Sequence, residues 1–78
     1  MEDKDVVKRM TLAQLRKKVG MTQGQVGVKM GMTQSEVSKI ERRKDVHVST
    51  LRQYLKALDG NLEIFIVFPN EDSEAIKL

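Results

Sequence analysis

Gln34, Ser35, Ser38 and Lys39 fall on one side of the stretch Gln-Ser-Glu-Val-Ser-Lys-Ile-Glu-Arg, which runs from Gln34 to about Arg42. At helical spacing Val37 and Ile40 point the other way, with Glu41 beside them. The exposed set has the chemistry to read nucleic acid. A Gln amide can bond an adenine edge bidentately or meet a phosphate, and Lys can donate to guanine O6 and N7. Ser35 is short and adaptable, Lys39 lies one turn beyond it, and Ser38 is the weaker candidate of the set. Arg42, Arg43 and Lys44 follow as a basic run suited to the sugar-phosphate chain, where contacts steepen salt dependence without choosing sequence. The same residues also fit an ordinary amphipathic helix with a solvated polar face and a solvated basic loop, so the flanking elements must decide.

Those elements are punctuated by a repeat. Gly20-Met21-Thr22-Gln23-Gly24-Gln25-Val26 returns eleven residues later as Gly31-Met32-Thr33-Gln34-Ser35-Glu36-Val37. Each copy reads as a helix stop followed at once by a start: Gly takes the left-handed conformation, and Thr caps the next helix through its hydroxyl. Two short helices joined by a tight Gly-containing turn form a helix-turn-helix, although generic helical hairpins carry similar signals.

Outside the repeat, a first helix is expected from roughly Val6 to Val19, with Leu12, Leu15 and Val19 on one face. The second spans about Gln23 to Met30 and the third Gln34 to Arg42, followed by a loop from Lys44 to Val48. Ser49 is expected to cap a fourth helix whose Leu51, Tyr54, Leu55 and Leu58 share a face, and Gly60 to end it. Gly24 and Gly27 both lie inside the second helix, where each costs about 1 kcal/mol relative to Ala.

The stretch from Leu12 through Gly20-Met21-Thr22-Gln23 and Gly31 to Arg42, continuing through Ser49-Thr50-Leu51 to Ala57-Leu58, resembles the Xre family of lambda-repressor-like DNA-binding domains. The resemblance covers about residues 10 to 59. It implies a mainly α fold, a helix-turn-helix domain of about four helices, here with one C-terminal β-strand. Within the family, the apolar tail is most similar to small antitoxins of the HigA and HipB type. The resemblance places Gln34, Ser35 and Lys39 at base-meeting positions and Gln23 at a phosphate-contacting one. Thr33 could contact phosphate too, though capping alone explains it. It further pairs Arg16 with Glu41 as a partly buried ion pair, and it matches Gly27 to a position where relatives carry Ala because the motif's helices approach closely.

Charge supports a polyanionic partner. The formal net charge is +3, with acidic residues clustered at Glu2, Asp3 and Asp5 and again at Glu71, Asp72 and Glu74. From residue 6 to 68 there are twelve Lys or Arg against five Asp or Glu, a net of +7. Small domains are often basic by chance, so charge supplements the motif without replacing it.

Catalysis finds little footing. His47, the sole histidine, reads as a surface loop residue between Val46 and Val48. No cysteine or second histidine accompanies it for metal binding, the serines lack an evident base, and no phosphate-binding Gly loop occurs. No enzyme, cofactor or metal is expected. The start is charged and lacks a signal-peptide apolar region, and the longest apolar run is far too short to span a membrane, which together suit a cytoplasmic protein.

Residues 1–5 are expected to be a loose N-terminus, 6–60 the DNA-binding domain, 61–69 a strand and 70–78 an acidic flexible tail. Leu62, Ile64, Ile66 and Phe68 share one strand face, Phe65 and Val67 the other, and Pro69 closes the run. A lone strand leaves its backbone groups unpaired, so the economical expectation is antiparallel pairing with a second copy across a two-fold axis. A strand folded back as irregular core is the alternative. The expected function is a dimeric, sequence-specific regulator of transcription, a repressor at an inverted repeat of double-stranded DNA with half-sites about one helical turn apart. A toxin partner would make it an autoregulatory antitoxin. A phage-type regulator, or a module acting mainly by neutralising a partner protein, shares most of these features.

Overall fold

The computed structural model describes residues 9–69 and 74–76. Four helices come first: α1 (Leu12–Lys18), α2 (Gln23–Met30), α3 (Gln34–Arg42) and α4 (Val48–Ala57). Two short strands follow, β1 (Ile64–Ile66) and β2 (Glu74–Ile76).

The first three helices begin with the same device. Thr11, Thr22 and Thr33 each accept from the backbone N–H three residues on at 3.1 Å, and the side chains of Gln14, Gln25 and Glu36 each accept from the Thr N–H at 2.8 Å. Each reciprocal pair satisfies two backbone donors that a helix start leaves free, and losing such a Thr typically costs about 1 kcal/mol.

Helix ends repeat as well. Met21, Met32 and Gly60 donate to carbonyls five residues back, at 3.1, 2.8 and 2.8 Å, in the closure known as a Schellman motif. The residue before each has positive φ: Gly20 at 77°, Gly31 at 68° and Asp59 at 63°. Two of the three joints therefore use Gly where left-handed backbone is required, and the third forces Asp into it.

Several boundaries differ from the sequence expectation. α1 starts at Leu12 rather than Val6, because Thr11 closes its capping box there; Arg9 and Met10 are not helical, and residues 6–8 lie outside the described set. Val19 caps α1 and is half exposed instead of sharing the core with Leu12 and Leu15. α4 is capped by His47, not Ser49: the Leu51 N–H already reaches the His47 carbonyl at 2.9 Å, and no side chain serves that cap. Packing of the apolar stripe of α4 outweighs the roughly 1 kcal/mol that a Ser cap would contribute. α4 ends at Ala57, and the Gly60 N–H closes its last turn onto the Leu55 carbonyl.

Val26, Val37, Ile40, Tyr54, Ala57 and Leu58 form the buried core, with Leu12, Leu15, Met21, Met30, Met32, Val46 and Leu55 packed around it. The two Val residues of the repeat are both fully buried, so each copy drives the same kind of anchor into one centre.

The C-terminal region departs furthest from expectation. The strand is three residues long, and β2 in the same chain pairs with it antiparallel, Ile64 opposite Ile76 and Ile66 opposite Glu74. The expected lone strand thus gains an intrachain neighbour from a segment read as flexible tail; residues 70–73 and 77–78 lie outside the described set. Closing a short loop within one chain costs less entropy than bringing two molecules together, which favours the local partner for this edge. Phe65, Ile66, Val67 and Phe68 remain exposed at 40% or more, whereas Leu62 and Ile64 are half-buried.

Candidate nucleic-acid interface

α3 is seated by Val37 and Ile40 on its inner side, which leaves Gln34, Ser35, Lys39 and Arg42 exposed and Ser38 half-buried. A shallow groove on this side is lined by Gln23, Thr33, Gln34, Ser35, Ser38 and Arg42. Six of the residues expected at DNA therefore converge across the start of α2 and the outer face of α3. Lys39 is exposed beside this groove and does not line it. Arg43 and Lys44 turn into a neighbouring depression with Asp45, Val46 and His47. The basic run is thus split between two patches.

Both carboxylates of α3 are hydrogen-bonded within the fold, Glu36 while exposed and Glu41 with its side chain buried. Glu36 folds back onto the Thr33 N–H, and this backbone hydrogen bond, helped by the Thr33 hydroxyl contact, lowers its pKa. Glu41 has a side chain only 4% exposed. Its Oε2 accepts from Arg16 Nε at 2.7 Å and from the Tyr54 hydroxyl at 2.6 Å. Its Oε1 accepts from Arg16 Nη2 at 3.2 Å and from Gln23 Nε2 at 3.0 Å. Burial pushes the Glu41 carboxyl up, but the hydrogen bonds from Arg16, Tyr54 and Gln23 together prevail and hold it at about 2. Glu41 is thereby paired with a cation before any phosphate approaches, whereas Glu36 keeps its charge at the exposed start of α3.

Arg16 is buried as well, and its partners explain how it is tolerated. Besides Glu41, it donates through Nη1 to the Met21 carbonyl at 2.9 Å, so it clasps the α1–α2 turn as well as α3. The hydrogen bond to Glu41 raises its pKa against the opposing effect of burial. Burial and the Glu41 bond likewise push the Tyr54 phenol up. The Tyr54 hydroxyl also lies 3.1 Å from the Leu12 carbonyl, tying the start of α1 into the same cluster.

Gln23 has a more constrained position than a free phosphate-contacting amide would need. Its Nε2 is held by Glu41, and its Oε1 accepts from Gln34 Nε2 at 3.5 Å. One Nε2 hydrogen remains for an outside acceptor. Tyr54 is the residue that sequence patterning undervalued: its place in an apolar stripe signalled core, and nothing local marked its hydroxyl. The Glu36 fold-back was legible in the Thr-x-x-Glu spacing.

At Gly27 the following turn comes very close to the backbone of α2. An ideal Cβ there would sit 2.6 Å from the Met32 carbonyl oxygen, so the close approach is to the turn backbone that launches α3.

Among the described residues no His, Cys, Asp and Glu cluster is arranged to hold a metal, and no helix is long and apolar enough to cross a membrane.

Solved structures of similar fold share this architecture over nearly their full length. One, the DNA-bound antitoxin HigA3, is 33% identical with a TM-score of 0.82, covering 92% of this chain and 95% of that one. Another, a HigA antitoxin described by induced DNA bending through unique dimerization, is 34% identical with a TM-score of 0.81, covering 95% of this chain and 100% of that one. No curated protein matches in sequence. The helix-turn-helix family matches residues 12–65, which hold all four helices and the start of β1. The chain belongs to the Xre-like helix-turn-helix family, with HigA antitoxins among its structural neighbours.

Proposed function

We propose that this protein is a sequence-specific, non-enzymatic DNA-binding regulator of the cytoplasm, an autoregulatory antitoxin that represses its own operon as a homodimer. The observation that carries this reading is the outer face of α3: Gln34, Ser35, Lys39 and Arg42 are exposed, Ser38 is half-buried among them, and Glu41 is paired with Arg16 on the inner side. Gln34, Ser35, Ser38 and Lys39 would meet base edges. Gln23, Thr33, Arg42, Arg43 and Lys44 would meet phosphates, the last two from the adjoining patch. The likeness to a DNA-bound antitoxin supports the same reading.

Dimerisation is proposed through the residue 62–68 segment. β2 occupies one edge of β1, and the exposed Phe65, Ile66, Val67 and Phe68 leave apolar surface for a second copy. Repression would follow from occupying a promoter, and a toxin protein encoded beside this one would be the regulating partner.

Fluorescence anisotropy on the DNA upstream of the protein's own gene, with random duplex as control at several salt concentrations, tests this function. Tight binding with strong preference and a steep salt slope is the expected result. Weak, equal binding to both duplexes would remove autoregulation.

A further inference from the structure

We infer that Tyr54, on a helix outside the helix-turn-helix, is a positioning residue for DNA reading: its hydroxyl orients Glu41, which orients Gln23, which holds Gln34. The inference rests on the DNA-binding function proposed above. Tyr54 is fully buried, and a Phe ring would fill the same space, so packing accounts for the ring and leaves the hydroxyl to be explained. A buried hydroxyl costs free energy unless it is bonded. This one sits 2.6 Å from Glu41 Oε2 and 3.1 Å from the Leu12 carbonyl.

The geometry gives the carboxylate two distinct ends. Oε2 faces Tyr54 and Arg16 Nε, and Oε1 faces Arg16 Nη2 and Gln23 Nε2. Arg16 bonds both oxygens and so fixes the plane of the carboxylate. Tyr54, at the shortest of the four distances, holds Oε2 towards α4 and with it sets where Oε1 lies relative to Gln23. The other oxygen then receives the Gln23 amine, so the Gln23 carbonyl faces Gln34 Nε2 at 3.5 Å. Gln34 is thereby held by one N–H, with its carbonyl and second N–H free in the groove. Without the Tyr54 hydroxyl, the carboxylate can settle towards Arg16, the Gln23 contact at Oε1 weakens, and the Gln34 tether loosens.

The test uses the full chain and a pool of random-sequence duplexes, from which wild-type protein selects its best-bound duplex. Affinities for that duplex and for the unselected pool are measured for wild type, Tyr54→Phe, Gln34→Ala and the double variant, at a temperature where circular dichroism shows all four folded. Tyr54→Phe should lower the ratio of selected to pool affinity roughly fivefold, equivalent to the net worth of one hydrogen bond, about 1 kcal/mol, with a smaller fall in pool affinity through the Gln23 phosphate contact. In the Gln34→Ala background the same change should cost almost nothing, because the relay has lost its end. An unchanged ratio, or an undiminished loss in that background, would overturn the inference. If wild type enriches no sequence at all, the DNA-reading function falls and this inference with it.

A second measurement does not depend on the Phe variant. Tyr54 is the chain's only tyrosine, so 3-fluorotyrosine labels it alone. Its fluorine resonance should move when Gln23→Leu breaks the relay at Glu41. A resonance that stays put would show that Tyr54 and Gln23 are uncoupled.

Discussion

The Met32 carbonyl oxygen occupies the space a side chain on Gly27 would enter, 2.6 Å from an ideal Cβ. The obstacle is backbone, so it can retreat only by moving the turn that starts α3. Gly24, three residues earlier in the same helix, is different: its nearest neighbour would be the Thr22 hydroxyl oxygen at an ordinary 3.8 Å.

The two glycines should therefore respond in opposite senses to alanine. Gly27→Ala is expected to destabilise by about 1–3 kcal/mol as an overpacking change, and to weaken DNA binding by tilting α3. Gly24→Ala should stabilise by about 1 kcal/mol through helix propensity. Urea denaturation of both variants checks this, and a stabilised Gly27→Ala would refute the close approach.

Asp59 holds a left-handed backbone at φ 63° in the joint that ends α4. Its contact with Lys29, at 3.8 Å between exposed side chains, contributes little. Asp59→Gly should raise stability by about 1 kcal/mol, since Gly takes this conformation without steric cost. Thermal unfolding of the variant should show a melting point a few degrees higher, and a lower one would mean that Asp59 has a role its geometry does not reveal.

Acid should unfold this protein through Glu41. Its carboxyl is held at about 2 in the folded state against 4.5 when unperturbed, so between those values the unfolded chain binds the extra proton. The stabilisation is complete above pH 5 or so, and it is lost as pH falls through that window towards 2, about 3 kcal/mol in all. The depressed pKa of Glu36 acts in the same direction. Denaturant titrations at pH 7, 4, 3 and 2 measure the slope. Equal stability at pH 7 and pH 3 would contradict the four-bond carboxylate. Glu41→Gln should flatten the slope but cost stability at neutral pH, because Arg16 is left buried without its counter-charge.

Lys39→Ala should cost about 1–3 kcal/mol on the selected duplex and far less on random DNA, as expected for a base contact. Arg43→Ala should instead weaken binding to both and make it less salt-dependent. An equal loss on both duplexes for Lys39→Ala would move that side chain from the bases to the backbone.

The helical body was largely legible because its signals are local. The repeated Gly-Met-Thr-Gln phrase marks the two joints, and the burial of Val26 and Val37 follows from its fixed spacing. Local signals misled where tertiary packing prevailed: Ser49 looked like a cap, but α4 begins at His47. The C-terminal pairing was harder, because three-residue strands leave almost no periodicity and Glu74-Ala75-Ile76 reads as polar tail. At the candidate site, outward residues could be assigned by helical spacing. The bonds that orient Gln23 could not, since they depend on Tyr54 and Glu41 meeting in space thirteen residues apart.

The two stop-start joints have a kinetic consequence. Every bond that defines them spans five residues or fewer, so the ends of the helices can be set before any distant contact forms. Such topologies fold fast, in microseconds to milliseconds. The bonds that Glu41 accepts from Arg16, twenty-five residues away, and from Tyr54, thirteen away, then tie α1, α3 and α4 into one body.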